Sequence, residues 1–392
     1  MEVKQKKVAQ QLRNFERALG EYKLDEPLSR FLTRFYKSNR QMGSSDRRMT
    51  SRLCYNYFRV GHIAADQAPE ARLVIAEFLC ETASDLVDVH RPQWSAYQQG
   101  ELADKINFLE QQGIPCDDAI FPFYSHLSLS IDPKQFCRSQ LIQPDLFLRV
   151  QKHAVLAVEE ELTKNAIPFE KVGPYSYRLP NGAQLQQIKK IEGLFEVQDL
   201  SSQESLDIAH IAKNQSWWDA CAASGGKSLL LLHKEPSIQL LVSDIRLSVL
   251  RNLDERFLKA NIRTAYRKKV LDLTVDVEHL LHGERFDGII LDAPCSGSGT
   301  WGRTPEMMSQ FSESNIADFA SLQQKIAARA SKYLQKDGQL IYITCSVFRE
   351  ENEDIVAYLE DTCGLKVEAM NLIKGYHRKS DSMFAARLRK IQ

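Results

Sequence analysis

Apolar residues return every three or four positions through the first third of the chain. VAQQLRNFERALGEY (8–22) and MTSRLCYNYFRVGHIA (49–64) show this spacing, with few β-branched runs, and predict helices. The run Ser44, Ser45, Asp46 predicts a helix start with Ser45 or Asp46 as N-cap. A second helical pair is expected over ARLVIAEFLCETASDLV and SAYQQGELADKINFLEQQ, before Gly113, Pro115, Pro122 and Pro133 loosen the pattern. Residues 1–138 therefore read as an all-helical domain.

The period then shortens. DLFLRVQ predicts a strand, VLAVEEELTKNAI a helix, and FEKVG, SYRLP and LFEVQD short strands, which makes 139–195 a small α/β subdomain. From 196 to 392, strands SWWDAC, IQLLVSD, FDGIILDAP, QLIYITCS and LKVEAM alternate with amphipathic helices such as ASLQQKIAARASKYLQ. That alternation predicts an α/β domain with a doubly wound, Rossmann-like, mostly parallel sheet. The strands ending at Asp292 and Thr344 are expected beside the first strand. No internal repeat or low-complexity stretch interrupts the pattern.

Composition adds few constraints. Apolar residues make up 43% and charged residues 26%, which suits a globular protein. No apolar run is long enough to span a bilayer, and the charged amino terminus lacks a signal-peptide core, so a cytoplasmic protein without a membrane partner is expected. Eight cysteines without C-x-x-C pairs suggest neither a zinc site nor a disulfide framework, and no metal is expected. Lys plus Arg equal Asp plus Glu at 51 each, yet residues 1–60 hold 14 basic residues against 6 acidic ones. Residues 373–392 hold six basic residues against Asp381 alone. Basic ends on a neutral chain suit a polyanion, or else two solvated helical surfaces.

WDACAASGGKS (218–228) joins a strand to a helix, and its small residues let backbone pass close to a ligand. A P-loop, G-x-x-x-x-G-K-S, would need glycine where Cys221 stands. Asp244 instead ends the second strand, where an acid can accept from both ribose hydroxyls, and Asp272 follows the third, within reach of an adenine amine. Taken singly, each acid can equally start a turn. Together with the turn, they describe a pocket for an adenosine without triphosphate, and S-adenosylmethionine (AdoMet) suits it.

Cys295 and Cys345 each end an apolar strand, at the end of the sheet where ligands bind. A lone cysteine there is commonly a small buried residue. Two, one of them beside Asp292 and Pro294, point to a nucleophile and a helper. A thiolate adding at carbon 6 of a pyrimidine makes carbon 5 reactive enough to take a methyl group from a sulfonium. A carboxylic acid at ring nitrogen N3 stabilises the adduct, and Asp292 is the candidate. A second cysteine can assist release.

WDACAASGGKS, LDAPCSGSGTWGRTPE (291–306) and TCSVFREENE (344–353) resemble the signature segments of the Fmu/Sun-type RNA 5-methylcytosine methyltransferases. QDLSSQES (198–205) is similar to the opening of that family's catalytic domain, and DLFLRVQ to its small RNA-contacting subdomain. QMGSSDRRMTSRLCYNYFRVG (41–61) resembles the NusB-like RNA-binding domain of bacterial members. The resemblance implies methylation of carbon 5 of a cytosine in RNA, in ribosomal RNA by expectation, by a monomer. It implies Cys345 as nucleophile, Cys295 in product release, Asp292 at the base and Lys227 orienting Asp292 or the base. It places AdoMet against Cys221, Ala222, Ala223, Ser224, Gly225, Gly226, Lys227, Asp244, Arg246, Asp272, Asp292 and Pro294. RNA contacts are implied at Arg149, Arg303 and Lys379.

Glu351 and Asn352 follow the second cysteine, Asn352 either capping a helix or positioning the site. Ser224 stands where the family usually has proline, which predicts a looser cofactor turn. Gln151 replaces a usual asparagine, and DSMFAARL a common Asp-Gly-Phe-Phe run, with Phe384 kept. The alternative function is a non-catalytic RNA-binding or ribosome-assembly factor that retains the fold.

Overall fold

The amphipathic segments of the first third are helices in the computed structural model, which describes residues 2–391. They run over Glu2–Glu21, Leu28–Ser38, Ser44–Arg59, Pro69–Cys80, Asp85–His90 and Leu102–Gln111. The third starts earlier than expected: Gly43 is its N-cap, and Asp46 accepts a hydrogen bond from the Gly43 N–H at 3.3 Å. An aspartate in the first turn reaches back in this way and also faces the positive end of the helix dipole. The expected helix over 71–87 is broken at Glu81, whose backbone is extended.

These helices form one compact unit that runs to Leu127 and includes Ile131–Gln143 and Thr300–Ser312. Phe15, Phe31, Phe58, Phe78 and Phe121 fill its interior. The Thr300–Ser312 segment is held inside it. Buried Arg59 donates from Nη1 to the Gly302 carbonyl at 2.6 Å, and the Trp301 ring lies 5.7 Å from Phe121 and 5.1 Å from Phe311.

The second unit comprises Ser128–Ser130, Pro144–Gly299 and the chain from Glu313 onward. Its described strands form two sheets. Strands β1 (Leu146–Val150), β2 (Glu170–Lys171), β3 (Ser176–Leu179) and β4 (Phe195–Val197) make an antiparallel sheet in the order β2-β3-β1-β4. The helix Val155–Lys164 contributes Val158 and Leu162 to its core.

The larger sheet takes β5 (Ser216–Asp219), β6 (Gln239–Asp244), β7 (Tyr266–Val270), β8 (Phe286–Asp292), β9 (Leu334–Thr344), β10 (Leu365–Ile373) and β11 (Met383–Lys390). Their order is β10-β11-β9-β8-β5-β6-β7, with β7 to β9 parallel and β11 inserted antiparallel between β9 and β10. Strands buried on both faces read as unbroken apolar runs, which is why IQLLVSD and FDGIILD announce themselves. Trp217, Leu240, Val242, Ile290 and Ile341 meet Leu229, Leu253 and Phe257 of the flanking helices in one core.

Two expectations are corrected here. Of the two cysteine-bearing strands, β8 pairs directly with β5, and β9, which carries Cys345 at its end, lies one strand farther out. The basic carboxyl-terminal stretch is strand β11 rather than a helical surface. Its Phe384, Ala386 and Leu388 are buried, and Arg387 and Arg389 pair with Glu368 at 3.3 and 2.7 Å. No helix among the described residues is long and apolar enough to cross a membrane.

Candidate active site

The carboxyl ends of β5, β6, β8 and β9 carry Asp219, Asp244, Asp292 and Thr344-Cys345. A parallel β8–β9 pair in register, Asp292 opposite Ile343, brings the two cysteine loops side by side. The Cys295 and Cys345 sulfurs lie 3.4 Å apart, and both residues are partly exposed. The neighbouring Cys345 sulfur, followed by burial, raises the Cys295 thiol well above its ordinary value, so Cys295 holds its proton at neutral pH.

A buried carboxylate ties the loops together. Glu351 accepts from the Ser296 N–H at 2.9 Å, the Ser346 hydroxyl at 2.7 Å and the Gln323 amide at 2.8 Å. The same Gln323 amide donates to the Pro294 carbonyl at 3.0 Å. Burial raises the Glu351 carboxyl, although these donors oppose the shift. Asn352 positions the second loop through its side chain: it accepts from Thr344 Oγ1 at 2.5 Å and donates to the Ser346 carbonyl at 3.0 Å. Gly299 completes the join, its N–H bonding the Cys345 carbonyl at 2.8 Å. A Cβ there would lie 2.0 Å from the Ser382 carbonyl oxygen, so only glycine fits.

The glycine-rich turn lies between β5 and the helix Gly226–Lys234. Ala223 and Gly225 take φ of +46° and +84°. The Ala222 N–H donates to the Ser243 carbonyl at 2.8 Å, and the Ala223 N–H to Asp244 Oδ2 at 3.1 Å. Asp244 also accepts from the Arg246 backbone and side chain, at 2.9 and 3.2 Å. Asp272 accepts from the Thr274 N–H at 2.8 Å and hydroxyl at 2.7 Å, which holds its carboxyl below the usual range. Each acid therefore does start a turn, and Asp244 reaches the glycine-rich turn as well. Cys221 is half-buried, and desolvation pushes its thiol upward, so it is a wall rather than a nucleophile.

Lys227 is 7% exposed at its side chain, and its Nζ donates to Asp292 Oδ2 at 3.0 Å and to Ser202 Oγ at 3.2 Å. It is no solvated helix-start lysine. It joins the cofactor turn to the acid beside Cys295.

Asp219 was not singled out by its sequence context, though it ends the first strand as Asp244 ends the second. It is fully buried and accepts from Ser228 Oγ at 2.5 Å, and burial pushes it up to about 7. Its Oδ1 has no hydrogen-bond partner among the described residues. An orphaned acid beside a left-handed turn, with Asp244 across from it, fits a ligand bearing both hydroxyl and ammonium groups, as AdoMet does. Gln323 and Ser202 were also missed; Ser202 lies within the QDLSSQES segment, and Gln323 in no recognisable motif.

The RNA-contact candidates differ in their settings. Lys379 is exposed, and Arg303 belongs to the helical unit's Thr300–Ser312 segment. Arg149 is a correction: it is 5% exposed, with Nε donating to Gln198 Oε1 at 2.8 Å, so it does not face solvent as an RNA contact would. Burial lowers its guanidinium to about 10. Gln151, the other departure in that strand, donates to the Gly193 and Ala260 carbonyls at 2.6 and 3.0 Å.

Residues 208–389 match the family model described as 16S rRNA methyltransferase RsmB/F. Ribosomal RNA small subunit methyltransferase B of Yersinia enterocolitica is 32% identical over 297 residues, spanning 71% of this chain and 67% of that protein. Its counterpart in Shewanella oneidensis is 37% identical over 185 residues, 46% of this chain and 42% of that protein. The Xanthomonas campestris protein of the same name is 28% identical over 248 residues, 61% and 53% of the two chains. The chain thus spans about half the length of several relatives that it matches. Among solved structures, PH0851 superposes with a TM-score of 0.71 at 19% identity, over 95% of this chain and 96% of its own. NSun6 from Pyrococcus horikoshii, solved with SFG, has a TM-score of 0.60 at 17% identity, over 69% and 97%. Both likenesses are of fold.

Proposed function

Because the chain belongs to the RsmB/F family of 16S rRNA methyltransferases, with AdoMet as cofactor, we propose that it methylates carbon 5 of a cytosine in ribosomal RNA through a covalent cysteine adduct. The observation that carries this reading is the pair of sulfurs at 3.4 Å beside an Asp292–Lys227 ion pair. A simple binding factor has no use for two adjacent thiols backed by a buried carboxylate.

Cys345 is the nucleophile. The assignment follows the family resemblance of the TCS segment, and the Cys295 sulfur 3.4 Å away is placed to act on the same ring. Its thiolate adds to carbon 6 of the cytosine, and the ring double bond shifts so that carbon 5 becomes nucleophilic. The negative charge of the adduct is taken up at N3 by a proton from the Asp292 carboxylic acid, which Lys227 Nζ orients, and Asp292 is left as the carboxylate. AdoMet, when bound, supplies an electrophilic methyl group on a sulfonium. Asp244 would hold the ribose hydroxyls and Asp272 the adenine edge, and the turn from Cys221 to Gly226, with Arg246 and Pro294, would line the rest of the cofactor. Once carbon 5 carries the methyl group, solvent water takes its proton, the double bond re-forms and Cys345 leaves as the thiolate; Cys295, 3.4 Å away, assists this release by hydrogen-bonding the departing sulfur. The target base must be unpaired or flipped, because attack is perpendicular to the ring.

The helical unit is assigned the role of a NusB-like RNA-binding domain, and the four-stranded sheet that of an RNA-contacting subdomain. Arg303 and Lys379 are the proposed phosphate contacts. A cytoplasmic monomer is expected. Bisulfite mapping of ribosomal RNA incubated with the protein and AdoMet tests the assignment. One protected cytosine supports it, and no protected cytosine together with AdoMet binding would favour the assembly-factor reading.

A further inference from the structure

Ser224 has a partner that a proline could not have. The helix Leu247–Lys259 crosses behind the cofactor turn and presents Leu253, Arg256 and Phe257, spaced i, i+3 and i+4, to one patch. Leu253 and Phe257 occupy the space where a Cβ on Gly225 would come within 2.8 Å. Arg256 covers the adjacent residue: its Nη1 lies 3.2 Å from Ser224 Oγ and 3.4 Å from the Ser224 carbonyl oxygen. Its Nε donates to Glu196 Oε2 at 2.7 Å. Glu196 belongs to β4 of the small sheet and is itself mostly buried, at 13% side-chain exposure. The guanidinium is planar, so fixing one edge on Glu196 fixes the direction of the other.

We propose that Arg256 and Glu196 are positioning residues for the cofactor turn, locking Ser224 from behind and thereby making AdoMet affinity depend on the small four-stranded subdomain. The proposal rests on the AdoMet reading of the turn. The residue before a proline is driven toward extended backbone, whereas Ala223 here has φ +46° and sends its N–H to Asp244. Serine permits that conformation, and the Arg256 clamp supplies the restraint that a proline ring would have given. The looser turn expected from Ser224 is thus held by a side chain 32 positions away.

The test is calorimetric titration of the full chain with AdoMet, alongside steady-state kinetics on ribosomal RNA. Arg256→Ala should weaken AdoMet binding roughly tenfold, the scale of a lost charge-assisted hydrogen bond. KM for AdoMet should rise while kcat at saturation stays near wild type, a split that simple loss of packing would not produce. Ser224→Ala, which keeps the carbonyl, should weaken binding by about threefold. Arg256→Lys should fall between Arg256→Ala and wild type, because an ammonium can reach only one of the two partners. Glu196→Gln should weaken binding alone but add nothing to Arg256→Ala. A wild-type chain that binds AdoMet, with Arg256→Lys and Ser224→Ala both within twofold of it, would overturn the clamp and leave the proposed function intact. A folded wild-type chain that binds no AdoMet would overturn both.

Discussion

The two cysteine loops and the glycine-rich turn stand at the carboxyl ends of strands in one sheet but are held in different ways. The loops are fixed from within their own neighbourhood. Glu351, Asn352, Ser296, Ser298 and Ser346 are all buried and lie within about sixty positions of one another, and their bonds to each other close on the same two strand ends, with Gln323 on Glu351 and Ser128 on Asn352 as outside partners. The turn is fixed from outside. Its restraints come from Asp244 on the next strand, Arg256 on the helix beyond, and Glu196 in the small sheet. A nucleophile must be aimed to a fraction of an ångström before the reaction begins. A cofactor cradle must also release its spent ligand, and restraints borrowed from neighbours can yield.

The largest effect separates the regions outright. Cys345→Ala should lower methylation on the order of 10⁴-fold or more, with AdoMet affinity unchanged by titration. A loss of affinity would mean that the regions are not independent. Lys227 is where they meet, so Lys227→Met should slow methylation by about 10²-fold, by freeing Asp292, and shift AdoMet affinity much less. An affinity loss larger than the rate loss would place Lys227 on the cofactor side alone. Glu351→Ala leaves three donors facing a void and should cost about 3 kcal/mol of folding stability in urea denaturation. An equal cost from Ser224→Ala would erase the contrast.

The last effect concerns pH. Asp219 is raised in the folded state from the ordinary 3.8 to about 7. The folded chain then holds that proton more tightly than the unfolded chain does. The contribution is full below about pH 4 and is lost as pH rises toward 7. The melting temperature of wild type, measured against Asp219→Asn, should fall across that interval. Parallel curves would show that Asp219 is ionised throughout.

Much of this was readable in the sequence, for physical reasons that also mark where reading fails. Strands β5, β6, β8 and β9 are apolar runs because both faces are buried, and the cysteines, Asp292 and Asp244 sit at their ends, where function collects. Strand β11 was hidden because Arg387 and Arg389 look solvated until Glu368, across the sheet, neutralises them. Arg149, given as an RNA contact by the family resemblance, has a partner in Gln198 that nothing near it in sequence announces. Gln323 and Arg256 follow the same rule: each acts on a partner about thirty positions away, through a helix whose pattern reports only its buried face.

The central claim is the order of action of the two thiols, and a denaturing gel of protein incubated with ribosomal RNA and labelled AdoMet tests it most directly. Cys295→Ala should accumulate a protein–RNA adduct that survives denaturation, and neither Cys345→Ala nor the double variant should form one. An adduct formed by Cys345→Ala, or clean turnover by Cys295→Ala at the wild-type rate, would contradict the account.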